Sequence, residues 1–175
     1  VPMMSFAASD NRVSKVPTLK EDFFYDENNL DDAPRLIIKE ESKDWGGRTQ
    51  KIRLKLKNAE WLKFSSSLET AVITAVYNEG TNIDKSSIGI TRDSASTISV
   101  QFKKADLDKE EAVFKLPMFV EITDSGDVTV EIDGRDSEVT SGTSYTFARG
   151  SDGKAVATID DDVTLSDEPK ALKTI

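Results

Sequence analysis

Neither cysteine nor histidine occurs anywhere in the 175 residues. Without thiols there is no disulfide, no thiolate nucleophile and no Cys-based zinc site. Without imidazole there is no His-dependent triad and no side chain that titrates near neutrality by default. Catalysis is thereby restricted to carboxylates, hydroxyls, lysine and arginine. No apolar run approaches the roughly 18–20 residues that cross a bilayer as a helix, so membrane insertion is not expected. Basic residues are the minority charge, 23 Lys and Arg against 32 Asp and Glu, for a formal net charge of −9. Such a chain repels phosphate backbones, which excludes nucleic acid as an expected partner, and anionic membrane surfaces are disfavoured for the same reason.

What the chain does have is alternation. TQKIRLKLK places Ile52, Leu54 and Leu56 on one face and Lys51, Arg53, Lys55 and Lys57 on the other, the pattern of a half-buried antiparallel strand. Leu36-Ile37-Ile38 reads as a short apolar strand, STISVQF alternates again, and DVTVEIDG, SYTFARG and KAVATIDD read as further strands. In AVFKLPMFVEIT, Pro117 predicts an edge, a bulge or a kink between two strands. TAVITAVY is rich in β-branched residues and is assigned to strand on that ground. Turn residues recur at Gly80, Gly126, Asp133-Gly134, Gly142 and Asp152-Gly153, with Gly46-Gly47 ahead of the Lys51–Lys57 strand. The expectation is an all-β fold: an antiparallel β-sandwich, immunoglobulin-like or jelly-roll, with about nine or ten strands and no amphipathic helix.

The ends read differently. Ser5-Phe6-Ala7 fits a small-x-small cleavage site behind an apolar run, so residues 1–8 are expected to be a signal-peptide remnant. The alternative is a donor-strand arm, with Met3 to Phe6 completing a neighbouring subunit's sheet. Residues 9–33 form an irregular arm bracketed by Pro17 and Pro34, with Phe23, Phe24 and Tyr25 as a hydrophobic clasp or partner-binding patch. The sandwich domain is placed at 34–165 and a C-terminal linker at 166–175.

Candidate chemistry is thin. Carboxylates cluster at Asp26-Glu27, Asp31-Asp32, Asp124/Asp127, Glu131/Asp133/Asp136 and Asp160-Asp161-Asp162, but none matches a calcium-loop spacing. Solvated turn acids explain them. No pair stands out as a glycosidase dyad, and no nucleophile elbow, S-x-x-K or phosphate loop occurs. Catalytic, cofactor and metal residues are therefore none. For carbohydrate stacking the planar candidates are Trp45, Trp61, Tyr77 and Tyr145, with Trp45 expected in an exposed turn and Trp61 in the core.

RLIIKEESKDWGGRTQKIRLKLKNAEWLKF, together with LPMFVEITDSGDVTVEIDGRDSEVTSGTSYTFA, resembles segments of large secreted surface proteins of Clostridium-like and Bacillus-like bacteria. Those proteins carry copper amine oxidase N-terminal-like (stalk) domains or S-layer homology repeats. The resemblance implies a cell-wall-associated β-module of a Gram-positive type. It implies no oxidase, because copper chemistry of that kind needs histidines. The expected function is thus a secreted structural or adhesive surface module, possible as an S-layer or filament subunit that pairs edge strands with copies of itself or with another surface protein. The alternative is an accessory module of a larger secreted enzyme that binds wall polysaccharide or another substrate.

Overall fold

The computed structural model describes residues 9–109 and 111–152. They form an all-β, sandwich-like fold with a single α-helix. Eleven strands are present: β1 (Ser9–Val13), β2 (Thr18–Lys20), β3 (Arg35–Glu40), β4 (Thr49–Lys57), β5 (Ala59–Trp61), β6 (Gly89–Arg92), β7 (Thr97–Lys103), β8 (Val113–Pro117), β9 (Val120–Ile122), β10 (Gly126–Asp133) and β11 (Gly142–Ser151). Three consist of only three residues each.

The largest sheet runs β2-β11-β10-β4-β7-β6, antiparallel except where β2 lies parallel to β11. A three-stranded antiparallel sheet runs β1-β3-β8, and β5 pairs with β9. Strand β4 alternates from end to end, with Ile52, Leu54 and Leu56 buried and all four cations exposed. Its apolar row joins Ile98, Val100 and Phe102 of β7 and Val128, Val130 and Ile132 of β10 in one core. Leu36, Ile38, Phe114 and Leu116 of the smaller sheet complete that core, with Phe102 stacked on Phe114 at 4.1 Å between ring centroids. Pro117 ends β8, and β9 starts three residues later, so the proline marks a break between two strands.

The stretch assigned to strand by its β-branched residues is instead helix α1 (Ser66–Glu79). The Ser65 hydroxyl accepts from the Leu68 N–H as an N-cap, and Leu68, Val72 and Val76 fall four residues apart on one buried face. Capping and burial against β8 outweigh the small helix penalty of Val, Ile and Thr. After Gly80 the chain turns back so that Thr81 pairs with Val113 on the free edge of β8. A Cβ on Gly80 would lie 2.6 Å from the Val113 carbonyl oxygen and 2.7 Å from that of Val76. Gly80→Ala is therefore expected to cost about 1–3 kcal/mol, read as a lower urea midpoint at unchanged slope.

The arm at 9–33 is more structured than its polar sequence suggests. Ser9–Val13 is a full partner of β3, and Thr18–Lys20 extends the large sheet. Tyr25 is buried and donates its N–H to Val120, while Phe23 and Phe24 remain exposed, so the clasp and the exposed patch are different residues of one triplet. Residues 1–8, the expected KAVATIDD strand, the Asp160-Asp161-Asp162 run and the 166–175 linker lie outside the described residues.

Candidate binding surface

Strand register builds the site. On the outer face of the large sheet, β6, β7 and β4 align Gly89 with Gln101 and Lys51, and Thr91 with Ser99 and Arg53. These two cross-strand rows line a shallow cavity of about 410 Å³, closed at one side by Arg135 from the turn after β10. At Gly89 the Gln101 side chain packs over the backbone, since an added Cβ there would meet it at 3.1 Å. Three cations line the cavity and no carboxylate does. In a chain with nine more acids than bases this is a marked local reversal of charge. The nearest contacting acid is Asp93 on the rim, which accepts from the Ser99 hydroxyl and lies 3.9 Å from Arg53. Beyond the cavity, Lys55 and Lys57 continue the row, with Glu131 opposite Lys55 and Asp133 opposite Arg53 across β10. Alternate residues of a strand are spaced about 6–7 Å, so the four cations form a row roughly 20 Å long.

Two other depressions are acidic. One of about 300 Å³ is lined by Phe24, Leu62, Leu68, Asp26, Glu27, Glu121 and Lys63 beside the start of α1. The other, about 320 Å³, lies among Asp10, Lys39, Glu40, Glu41 and Glu111.

The planar residues do not assemble into a stacking platform. Trp45 is fully buried against Phe102, contrary to its expected exposure in a turn, and Trp61 packs on Phe119 in the core as expected. Tyr77 is exposed on α1 with Lys85 over its ring, and the half-buried Tyr145 hydroxyl accepts from Asn11. The burial of Trp45 has a specific cause. The Glu40 carboxylate accepts the Trp45 main-chain N–H at 3.0 Å, and pulls the 41–47 turn down onto the core.

Glu40, Glu79 and Glu27 are displaced downward from the ordinary carboxyl pKa, toward the ionised form. Burial alone would raise Glu40, but the Ala112 N–H, the Lys104 ammonium and the Trp45 N–H overcome it. Glu79 is lowered by the bidentate Arg35 guanidinium, and Glu27 by the Ser67 hydroxyl. Each of these acids holds two elements together. Among the described residues no group of three or more acids is placed to hold a metal ion. The edges of the sheets are short or covered. β1 is tied to the loop before β11 through Ser9, Asn11 and Thr140, β8 is covered by Thr81, and β2 and β6 have three and four residues. No family model matches the chain, and no match is found among curated proteins or solved structures.

Proposed function

We propose that this chain is a non-catalytic adhesive module of an extracellular surface, holding its partner on the outer face of the six-stranded sheet. One observation carries the reading: the cation-lined cavity built by the Gly89–Gln101–Lys51 and Thr91–Ser99–Arg53 rows. The rows sit on an antiparallel scaffold that fixes the backbone positions of these residues before a ligand arrives, so binding orders side chains and not the sheet. The extracellular setting is supported by the cysteine-free, acidic composition and by the sequence resemblance to wall-associated proteins.

A second reading is strand addition between copies, for which β6 offers an edge paired on one side only. Four residues give a neighbour few main-chain hydrogen bonds, which favours the face over the edge. Cosedimentation with isolated Gram-positive walls and with a panel of immobilised neutral and charged polysaccharides tests the choice. The adhesive reading predicts retention on at least one polymer by a protein that stays monomeric in sedimentation velocity. No retention on any polymer, with oligomers growing as concentration rises, would replace it by the edge-pairing reading.

A further inference from the structure

We infer that the ligand of this face is an acidic polysaccharide, recognised through its carboxylates. The inference rests on the adhesive reading above and names the chemistry the face selects. Lys51, Arg53 and Arg135 surround the cavity with positive charge, of which only Arg53 is shared with an acid, Asp93 at 3.9 Å. Lys51, Lys55, Lys57 and Arg135 form no ion pair among the described residues, so their charge is not committed to the fold. Arginine guanidinium matches a planar carboxylate with two parallel hydrogen bonds, and lysine adds point charge beside it.

Sugar hydroxyls need partners as well. Thr91, Ser99 and Gln101 supply two hydroxyls and one amide between the cations; the Thr91 hydroxyl and Gln101 amide can donate and accept, while Ser99, which donates to Asp93, can accept. With no side chain at Gly89, Gln101 packs over that backbone and places its amide beside the cations. Lys55 and Lys57 extend the row beyond the cavity along β4. A charge on every second residue over four positions suits a linear ligand with repeated anions better than a single small one. The flanking Glu131 and Asp133 confine the track to one side.

Two other polymers fit less well. A neutral glycan would want an exposed ring to stack on, and no aromatic lines this cavity. A nucleic acid would want base-stacking aromatics among the cations, which are equally missing. The surrounding acids do not forbid a carboxylate polymer lying in the groove. At physiological ionic strength charges beyond about 8–10 Å are largely screened, while the lining cations are in direct contact.

The test uses the full chain and polygalacturonate as the probe, with fully methyl-esterified polygalacturonate and inorganic polyphosphate as comparators. Binding is read by biolayer interferometry at 0.15 M and 1 M NaCl. Expected is binding of polygalacturonate at 0.15 M that is lost at 1 M, with little for the ester. Lys51→Gln/Arg53→Gln is expected to weaken it at least about tenfold, while the remote pair Lys15→Gln/Lys43→Gln leaves it unchanged. Gly89→Val, which keeps every charge but forces the Gln101 side chain aside, is expected to weaken it as well. Circular dichroism melts of each variant separate loss of binding from loss of folding. Equal binding of the ester and the free acid would overturn the carboxylate inference and leave the adhesive reading standing. So would indifference to Lys51→Gln/Arg53→Gln, or tighter binding of polyphosphate. Absence of binding to any polymer, neutral ones included, would remove both.

Discussion

Lys104→Met is expected to lower stability by about 3–5 kcal/mol, a large part of the roughly 5–15 kcal/mol that holds a domain folded. Lys104 and Glu40 form an ion pair of 2.9 Å, with their side chains 1% and 0% exposed. Glu40 ends β3 in the small sheet, and Lys104 follows β7 in the large one, so the pair joins the two layers. Removing the ammonium leaves a carboxylate in the interior with only two N–H donors, Ala112 at 2.9 Å and Trp45 at 3.0 Å. Removing Glu40 strands all three donors at once, so Glu40→Leu is expected to be at least as damaging. In an ordinary buried pair, replacing both partners by apolar residues often restores stability. Here Glu40→Leu/Lys104→Met still orphans two main-chain N–H groups. The double variant should therefore stay below wild type, although above the sum of the single losses. Chemical denaturation of the four proteins completes the cycle. Full recovery in the double variant would contradict the role assigned to Glu40.

The same group sets a pH dependence. The folded Glu40 carboxyl is held below its ordinary value, so its contribution is fully present above the unfolded pKa near 4.5. It is lost as pH falls through the lower folded value, as protons bind the unfolded chain first. Glu79 and Glu27 act in the same direction. Stability should be flat from about pH 7 to 5 and fall below about 4.5. Glu40→Gln should show a shallower acid limb as well as a lower plateau, checked by urea midpoints measured across that range.

Phe114→Ala is the second large effect, expected to cost about 3–5 kcal/mol. Its ring is fully buried, stacks on Phe102 at 4.1 Å with planes 14° apart, and Phe102 in turn meets Trp45 at 5.5 Å. The three rings come from β8, β7 and the 41–47 turn, so the cavity left behind would sit where both sheets and the turn meet, and these elements cannot collapse independently. Phe114→Leu, which retains most of the volume, should lose markedly less. A loss for Phe114→Ala no greater than that for Phe114→Leu would show that the aromatic column is not a centre of stability. The buried indole N–H of Trp45 has no hydrogen-bond partner among the described residues, so that ring contributes by packing alone.

Alternation in TQKIRLKLK maps residue for residue onto β4, because a strand with one wet face leaves its period in the sequence. Pro117 likewise marks its own break. Helix α1 was hidden by composition: Val72, Ile73, Thr74 and Val76 favour strand, while the signals that prevail are the Ser65 cap and the four-residue spacing of Leu68, Val72 and Val76. Strand β1 was hidden for the opposite reason. SDNRV has no apolar alternation, and it becomes a strand by pairing with β3 and by the Thr140 contacts at its edge. Trp45 was misplaced because its neighbours Gly46 and Gly47 signal a turn, and nothing nearby in sequence reveals that Glu40 draws that turn inward. The candidate site was half legible. Its lysines and arginine stand out on β4, but as the wet face any amphipathic strand would have. What makes them a site is the register of β6 and β7, which brings Gly89, Thr91, Ser99 and Gln101 beside them, and register is set by long-range pairing.

An amide chemical-shift titration of the 15N-labelled chain with an oligogalacturonate tests most directly whether the sheet's outer face is where this protein holds its partner. The account predicts saturable shifts grouped on Lys51, Arg53, Gly89, Thr91, Ser99, Gln101 and Arg135. Shifts grouped instead around Phe24, Glu27 and Lys63, or spread evenly over the surface, would contradict it.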